Sequence, residues 1–161
     1  MCFKGLVTGR LPREVYISGL ENFIISTVDF VLRRGLQFFL IKRKGGAFSG
    51  EWFVAGGRQN RGEEELTALH RIAKRELGVN EKDVVTVRFS HCQDVCNPAS
   101  KNDEGSLPEW HSKWHFYVVE VTPDFKLKLD ETSSEGQWFT ELPVEGVPEP
   151  VIRALRKSGM I

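Results

Sequence analysis

The sequence lacks the features that mark secreted and membrane proteins. It has only three cysteines, Cys2, Cys92 and Cys96, and this small odd number is typical of free thiols in a reducing, cytoplasmic compartment. No apolar run approaches the ~20 residues that a membrane-spanning helix needs. Residues 1–10 lack the long apolar segment of a signal peptide. We therefore expect a cytoplasmic protein with no membrane partner.

An excess of charge of either sign is also missing. The 22 Lys and Arg residues balance the 22 Asp and Glu residues, so the chain as a whole has no attraction to nucleic acid. Any affinity for an anion must come from the local placement of charge. The 161 residues suit one domain with a sizeable core, and they contain neither an internal repeat nor a low-complexity segment.

A zinc site is not indicated by the cysteine spacing. Cys92 and Cys96 have three residues between them, and no second pair of Cys or His residues lies at a zinc-binding distance in the sequence. The neighbouring His91 and His111 leave a metal site open as an alternative. The favoured interpretation is a pair of plain thiols in a loop.

The pattern of apolar residues and turn formers predicts alternating helices and strands. A loop of about 20 residues in a small domain is typical of a functional segment. The order favours a single α/β domain, residues 1–161, with a mixed β-sheet packed against helices. The predicted elements are helix 11–20, strands 22–32 and 36–42, Gly-rich loop 44–50, strand 52–54, helix 63–77, strand 84–90, long polar loop 91–113, strands 114–122, 126–129 and 137–139, and helix 150–158.

The segment around the second helix has the composition of a diphosphate site. A diphosphate is bound through a hard cation such as Mg²⁺, which prefers carboxylate and carbonyl oxygens. The tight Gly56-Gly57 turn can present a backbone carbonyl, and the helix that follows can present carboxylates. At 100° per residue, positions 72, 75 and 76 share one face of that helix.

Residues 56–79 resemble the Nudix box in spacing and in residue type. The match has no gap and is carried by Gly57, Glu63, Arg71, Ala73, Glu76, Gly78 and Val79. The resemblance implies the Nudix fold, in which a mixed sheet is sandwiched between helices (α/β/α). It also implies hydrolysis of a nucleoside diphosphate derivative with Mg²⁺ or Mn²⁺ as cofactor.

The box departs from the family pattern at two positions. Family members place three glutamates on the face where this sequence has Ile72, Arg75 and Glu76. The prediction is therefore one Mg²⁺, held by Glu76 and the Gly56 carbonyl, with Glu63 as a supporting catalytic acid at the start of the helix.

Arg75 has two interpretations at this stage. It either points away and pairs with Glu64 or Glu65, or it binds the phosphate directly. A further alternative is that Ile72 extends the core, Arg75 is a solvated surface residue and the chain does not hydrolyse its ligand.

One branch of the family, the GDP-mannose mannosyl hydrolases, has a similarly depleted box. The segments 26–30, 42–43 and 50–58 and the short first helix are similar to that branch. The resemblance implies that Asp29, Arg43 and Arg58 bind the nucleotide sugar and its diphosphate. It also implies a homodimer and attack of water on the anomeric carbon.

The general base of that branch is missing. Thr132 and Ser133 stand where the branch has a Gln metal ligand and a His base, and a serine without a partner base does not act as a base at neutral pH. Glu131 is our candidate for the catalytic acid or base. The remaining candidates are Glu135, His91, His111 and His115.

The sequence thus predicts a Mg²⁺-dependent hydrolase of a nucleoside diphosphate derivative, with a nucleotide sugar as the preferred class. Two alternatives stay open: a pyrophosphohydrolase acting at phosphorus, and a nucleotide-binding protein without turnover.

Overall fold

The computed structural model describes residues 11–102, 104–143 and 145–161. The expectations for Cys2 and for a signal peptide lie outside the described residues. No helix among the described residues is both long and apolar enough to cross a bilayer. The elements in chain order are α1 (Arg13–Asn22), β1 (Ile25–Arg34), β2 (Gln37–Arg43), β3 (Trp52–Phe53), β4 (Ala55–Arg58), α2 (Glu65–Leu77), a 3₁₀ turn (Glu81–Asp83), β5 (Val84–Asn97), β6 (Ser100–Asn102), β7 (Gly105–Leu107), β8 (Trp110–Val121), β9 (Ser133–Phe139) and α3 (Glu149–Ser158).

Strand β1 is the centre of a seven-stranded mixed sheet. It pairs in parallel with β8 along nearly its whole length. On its other edge, Thr27–Phe30 pair with β4 and Leu32–Arg34 pair with β2, both antiparallel. β2 also pairs with β3 and β9, and β5 lies at the far edge next to β8. The sheet therefore splits beside β1, and the short strand β4 occupies the gap that leads into α2.

The helices cover both faces of the sheet. Glu65, in the first turn of α2, contacts His115 and Tyr117 of β8. Gln93 of β5, opposite Trp114, instead donates a hydrogen bond to the Pro150 carbonyl of α3. Because residues 114 and 115 project to opposite faces of a strand, α2 and α3 lie on opposite sides. This confirms the predicted α/β/α arrangement.

The central strands are buried on both faces, and this explains their continuous apolar sequence. In β1, residues 27–32 are all buried, and so are residues 38–41 in β2. The core side of α2 consists of Ala68, Leu69, Ile72, Ala73 and Leu77. Packing between the buried strands and the core side of α2 fixes the distance of α2 from β1 and β4. This distance determines which side chains of α2 reach the candidate site.

The prediction of a long polar loop at 91–113 was wrong. β5 continues to Asn97, β8 begins at Trp110, and the short hairpin β6–β7 lies between them. The polar composition was misleading because several polar residues are buried and satisfied there. The Asn97 side chain donates to the Ser112 hydroxyl at 2.9 Å. The exposed residues that alternate with them gave the segment the appearance of a loop.

Two other predicted elements differ from the structure. Residues 126–129 are not a strand, because this segment runs along the end of α2 and donates backbone hydrogen bonds to its last carbonyls. α2 begins at Glu65 and not at residue 63, since Glu64 has extended backbone angles. The predicted helices 11–20 and 150–158 are confirmed, with ends shifted by one or two residues.

Gly136 offers a test of how β9 docks on β2. A Cβ added there would meet Cζ of the buried Phe39. We expect Gly136→Ala to lower the free energy of unfolding by about 1–3 kcal/mol through overpacking, measured by urea denaturation. The control is Gly19→Ala in α1, where a Cβ would meet no atom within 4 Å. Equal stability of wild type and the Gly136 variant would contradict this packing.

Candidate active site

The turn between β4 and α2 is held by a buried ion pair. Arg71 reaches back from the second turn of α2 and donates to both oxygens of Glu63, at 2.7 and 2.8 Å. It also donates to the Arg58 carbonyl at 3.0 Å, and the Asn60 N–H donates to Glu63 at 2.9 Å. The hydrogen bond from Arg71 lowers the pKa of the Glu63 carboxyl. Both oxygens of Glu63 are therefore engaged, and its role here is to fix the turn.

Gly56 lies against Asp29 across the β1–β4 pair. A Cβ at Gly56 would overlap the Asp29 carboxylate, so only glycine fits. At Gly57 an added Cβ would make ordinary contacts of 3.5–3.6 Å with Ile72 and Arg75. The first glycine of the pair is thus required by the approach of an acid, and the second lies beneath α2, next to Ile72 and Arg75.

Glu76 reaches this turn from α2, as predicted. Its side chain is buried, and its Oε2 faces the Gly56 N–H at 3.4 Å. Burial raises the pKa of Glu76, and nearby Asp130 adds to that effect, whereas Arg75 lowers it. The contact that the structure shows is with the N–H of Gly56. Ligation of a metal by the Gly56 carbonyl stays a prediction.

In the described part of the chain, Arg75 pairs with neither Glu64 nor Glu65, and its direct binding of a phosphate stays a prediction. It folds over its neighbour and forms an ion pair with Glu76 at 2.6 Å. Its own side chain is 55% exposed, so one face of the guanidinium is open to solvent or to an anion. Ile72 is fully buried in the core. The alternative that Ile72 serves packing is confirmed.

Arg43 and Asp29 form the floor of the site beside Glu76. The Arg43 guanidinium lies 5.0 Å from the centre of the Phe53 ring. Burial lowers its pKa, while Glu76 and Asp29 both raise it. Burial raises the pKa of Asp29 to about 7, although Thr27 donates a hydrogen bond to it at 2.5 Å and Arg43 is near. The predicted residues Asp29, Arg43 and Glu76 are therefore brought together.

Arg58 lies at the mouth of the site and not on its floor. Its guanidinium is 5.3 Å from the Tyr16 ring of α1. A cavity of about 330 Å³ opens there, lined by Leu11, Arg13, Tyr16, Arg58, Asn102 and Glu104. Its wall is the β6–β7 hairpin, which is anchored on both sides. Arg13 donates to the Ser106 carbonyl at 2.7 Å, and Gly46 donates to the Lys101 carbonyl at 3.0 Å.

Sequence reasoning chose Glu131, but the acid near Glu76 is Asp130. The Asp130 N–H donates to the Glu76 carbonyl at 3.1 Å, and its carboxyl is close enough to raise the pKa of Glu76. Glu131 is exposed in the following turn, and its catalytic role has no support from the geometry. The last carbonyls of a helix have no partner within it and require donors from a neighbouring segment. This requirement was the signal that could have pointed to Asp130.

The three histidines that were candidates for a base are engaged elsewhere. His115 contacts Glu65 at 2.7 Å, and His111 contacts Asp94 at 3.1 Å on the outer surface. His91 lies on the α3 side, where it contacts Ser90 at 2.8 Å and burial lowers its pKa. None of these three is shown in contact with Glu76 or Asp29.

Cys92 and Cys96 are exposed free thiols on β5 and not on a loop. Among residues 11–102, 104–143 and 145–161, no cluster of three His, Cys, Asp or Glu side chains could hold a metal ion. The described residues therefore give no support to a zinc site formed by these cysteines or to a multi-metal site at α2.

The carboxylate of Glu76 is the candidate metal ligand at the β4–α2 turn. Asp130 lies close enough for its negative charge to raise the pKa of Glu76. Arg75 already supplies one positive charge there. A cation would therefore compete with Arg75 for Glu76.

The geometry defines a class: an α/β/α protein whose glycine turn and second helix are held together by a bidentate Arg–Glu pair. A family model described as the NUDIX domain matches residues 25–154. The chain belongs to the NUDIX domain family, and it is a Nudix hydrolase by that membership. The gapless box at 56–79 lies inside the matched region.

Similar proteins agree with this assignment. The low-salt glycan biosynthesis protein Agl8 of Haloferax volcanii is 30% identical over 153 residues, which cover 92% of this chain and 90% of that protein. The MutT NUDIX hydrolase of Burkholderia pseudomallei is 19% identical with a TM-score of 0.67, covering 84% and 98% of the two chains. The NUDIX domain of Shewanella oneidensis NrtR, solved with ADP ribose, is 14% identical with a TM-score of 0.63, covering 92% and 97%.

The Glu63–Arg71 pair can be tested through stability. Glu63→Ala leaves Arg71 and the Asn60 N–H without their partner, so we expect a loss of roughly 2–3 kcal/mol in the free energy of unfolding. Glu64→Ala, at the exposed neighbouring acid, is the control and should change it by less than about 0.5 kcal/mol. The folded-state pKa of Glu63 is depressed, so its contribution is present above its unfolded pKa. It disappears as the pH falls through the folded pKa. Equal losses in both variants would refute this role.

Arg75 can be tested through the affinity for Mg²⁺ measured by isothermal titration calorimetry. If Arg75 competes for Glu76, Arg75→Gln should tighten Mg²⁺ binding roughly two- to fivefold, as expected for a partly exposed ion pair. Lys74→Gln removes the same charge from the adjacent exposed residue and is the matched control. If both variants bound Mg²⁺ as wild type does, the competition would be disproved.

Proposed function

We propose that this protein is a Mg²⁺-dependent hydrolase of a nucleoside diphosphate linked to a sugar. The observation that carries the proposal is the buried Glu76 carboxylate beside the Gly56 turn, with the Arg43 guanidinium next to it. One acid, one glycine turn and one buried cation converge on a single point. This arrangement is suited to the two phosphates of a diphosphate.

Each residue of the site has a distinct role in this proposal. Glu76, with Asp130 beside it, would hold a Mg²⁺, and the bound ion would supply positive charge to the leaving diphosphate. Arg43 grips the phosphates from the floor of the site, and Arg58 does so from its mouth. Asp29, with its pKa of about 7, accepts or donates a hydrogen bond at a hydroxyl of the ligand.

The cavity at Tyr16 supports a ligand that extends beyond the diphosphate. Its volume of about 330 Å³ lies at the lower end of the range for small-molecule sites, ≈ 300–1,000 Å³. It combines an aromatic ring with one Asn and one Glu side chain, which suits the hydroxyl groups and ring faces of a sugar. Arg58 lines this cavity and so connects it with the phosphates.

The similar proteins are compatible with this substrate class. The Haloferax volcanii relative is a glycan biosynthesis protein, and the Shewanella oneidensis domain was solved with ADP ribose, a nucleoside diphosphate linked to a sugar. The replacement of two box glutamates by Ile72 and Arg75 argues against a multi-metal attack on phosphorus. Attack of water on the anomeric carbon needs less metal at the phosphates, because the nucleophile acts elsewhere.

Binding without turnover is the second candidate, and a specific observation favours it. Glu76 is already neutralised by Arg75, and His91, His111 and His115 are engaged outside the site. Hydrolysis at carbon requires a base to activate water. Asp29 is the nearest group with a pKa suited to that role.

Product analysis separates these functions. The protein is incubated with Mg²⁺ and GDP-mannose, GDP-glucose, UDP-glucose or ADP-ribose, and the products are resolved by anion-exchange chromatography. Free sugar with a nucleoside diphosphate is the expected result. A nucleoside monophosphate with a sugar phosphate would show attack at phosphorus, and tight binding without products would show the second candidate.

A substitution at Glu76 tests the metal-binding role in the same assay. We expect Glu76→Gln to lower kcat at saturating Mg²⁺ by roughly 100-fold or more, since even neighbours of metal ligands cost 10–100-fold when lost. Glu64→Gln at the exposed helix start is the control and keeps the wild-type rate. Full activity of the Glu76 variant would remove Glu76 from the metal site.

A further inference from the structure

The hydroxyl of Ser133, at the start of β9, is buried without a partner. The residue is only 5% exposed, and its Oγ finds no hydrogen-bond partner among residues 11–102, 104–143 and 145–161. Burying a hydroxyl that makes no hydrogen bond costs free energy. An unsatisfied group of this kind in a well-packed strand requires an explanation.

The register of the sheet shows where this hydroxyl points. Ser133 pairs with Arg43 in the antiparallel β2–β9 ladder, just past a β-bulge between Lys42 and Arg43, and paired residues project on the same face. The side chain of Arg43 lies on the face that holds Asp29 and Glu76. The backbone here is fixed by the Lys44 N–H, which donates to the Thr132 carbonyl at 3.0 Å. The Ser133 hydroxyl therefore faces the floor of the candidate site.

The next residue behaves differently. Ser134 is exposed, and its Oγ donates to the Lys42 carbonyl at 3.2 Å. The two adjacent serines thus have the same chemistry but different environments. Ser134 has an acceptor in the Lys42 carbonyl, whereas Ser133 has no acceptor among the described residues.

We propose that the Ser133 hydroxyl donates a hydrogen bond to a phosphate oxygen of the bound nucleoside diphosphate, beside the Arg43 guanidinium. This inference rests on the proposed function for the identity of the ligand. Arg43 has donors and no acceptor, so Arg43 and Ser133 together present only donors to one point once the hydroxyl proton turns toward it. Anions are bound by such converging donors. Ser133 is a binding residue in this proposal and not a base.

The experiment compares binding and stability in the same variants. Inorganic pyrophosphate is titrated in the presence of Mg²⁺ into wild type, Ser133→Ala and Ser134→Ala, and the Kd is measured by isothermal titration calorimetry. Ser133→Ala should raise the Kd about tenfold, as for a hydrogen bond to a charged group. Ser134→Ala should leave the Kd unchanged.

The Tm without ligand distinguishes a binding role from a structural role. Because the Ser133 hydroxyl makes no hydrogen bond to the described part of the chain, Ser133→Ala should leave the Tm unchanged or raise it. A Kd equal to that of wild type would overturn the proposal. A lowered Tm together with weaker binding would overturn it as well, since packing would then explain both.

These outcomes are separate from the test of hydrolysis. If Ser133→Ala weakens pyrophosphate binding but wild type releases no product from the nucleotide sugars, the Ser133 contact is supported and hydrolysis is rejected. A protein that releases free sugar but binds pyrophosphate equally well in wild type and Ser133→Ala rejects only the contact. Wild type that binds no pyrophosphate contradicts the contact regardless of turnover.

Discussion

The bidentate pair of Arg71 and Glu63 is the interaction on which the site depends. It joins α2 to the turn after β4, and the third bond of Arg71, to the Arg58 carbonyl, extends that connection into the strand itself. β4 has only four residues, so it has little pairing energy of its own to hold this position. With the turn fixed, Glu76, five residues after Arg71 on the same helix, meets the Gly56 N–H. A buried pair of this kind is valuable for the position that it imposes and much less for net stability.

The site that results is poor in acid compared with the box it resembles. Of the three positions on the helix face, one is occupied by Ile72, which packs in the core, and another by Arg75, which is positively charged. The remaining carboxylate is buried, and its pKa is raised. Arg43 and Arg75 therefore place positive charge beside the remaining carboxylate.

The sequence predicted those parts of the molecule in which a structural requirement fixes the residue spacing or the apolar pattern. The box kept a gapless register because its glycines, its Arg–Glu pair and its helix must meet at fixed distances. The buried strands β1 and β2 had continuous apolar runs. The loop prediction for residues 91–113 was wrong because the local pattern did not reveal burial. Gln93, Asn97 and Ser112 are buried polar residues whose hydrogen-bond partners come from distant segments. Asp130 was missed because its position near Glu76 depends on a backbone hydrogen bond at the end of α2. The pattern of side chains in the sequence does not reveal such bonds.

The parallel pairing of β1 with β8 has a consequence for folding kinetics. Ile25 pairs with Ser112 and Arg33 with Glu120, so paired residues are 87 positions apart in sequence. Loop-closure entropy must be paid before this pairing forms, and chains dominated by such distant contacts fold slowly. The hairpin β1–β2 joins neighbouring segments and has a smaller loop-closure cost. We therefore expect the β1–β8 pairing to be among the slower steps of folding.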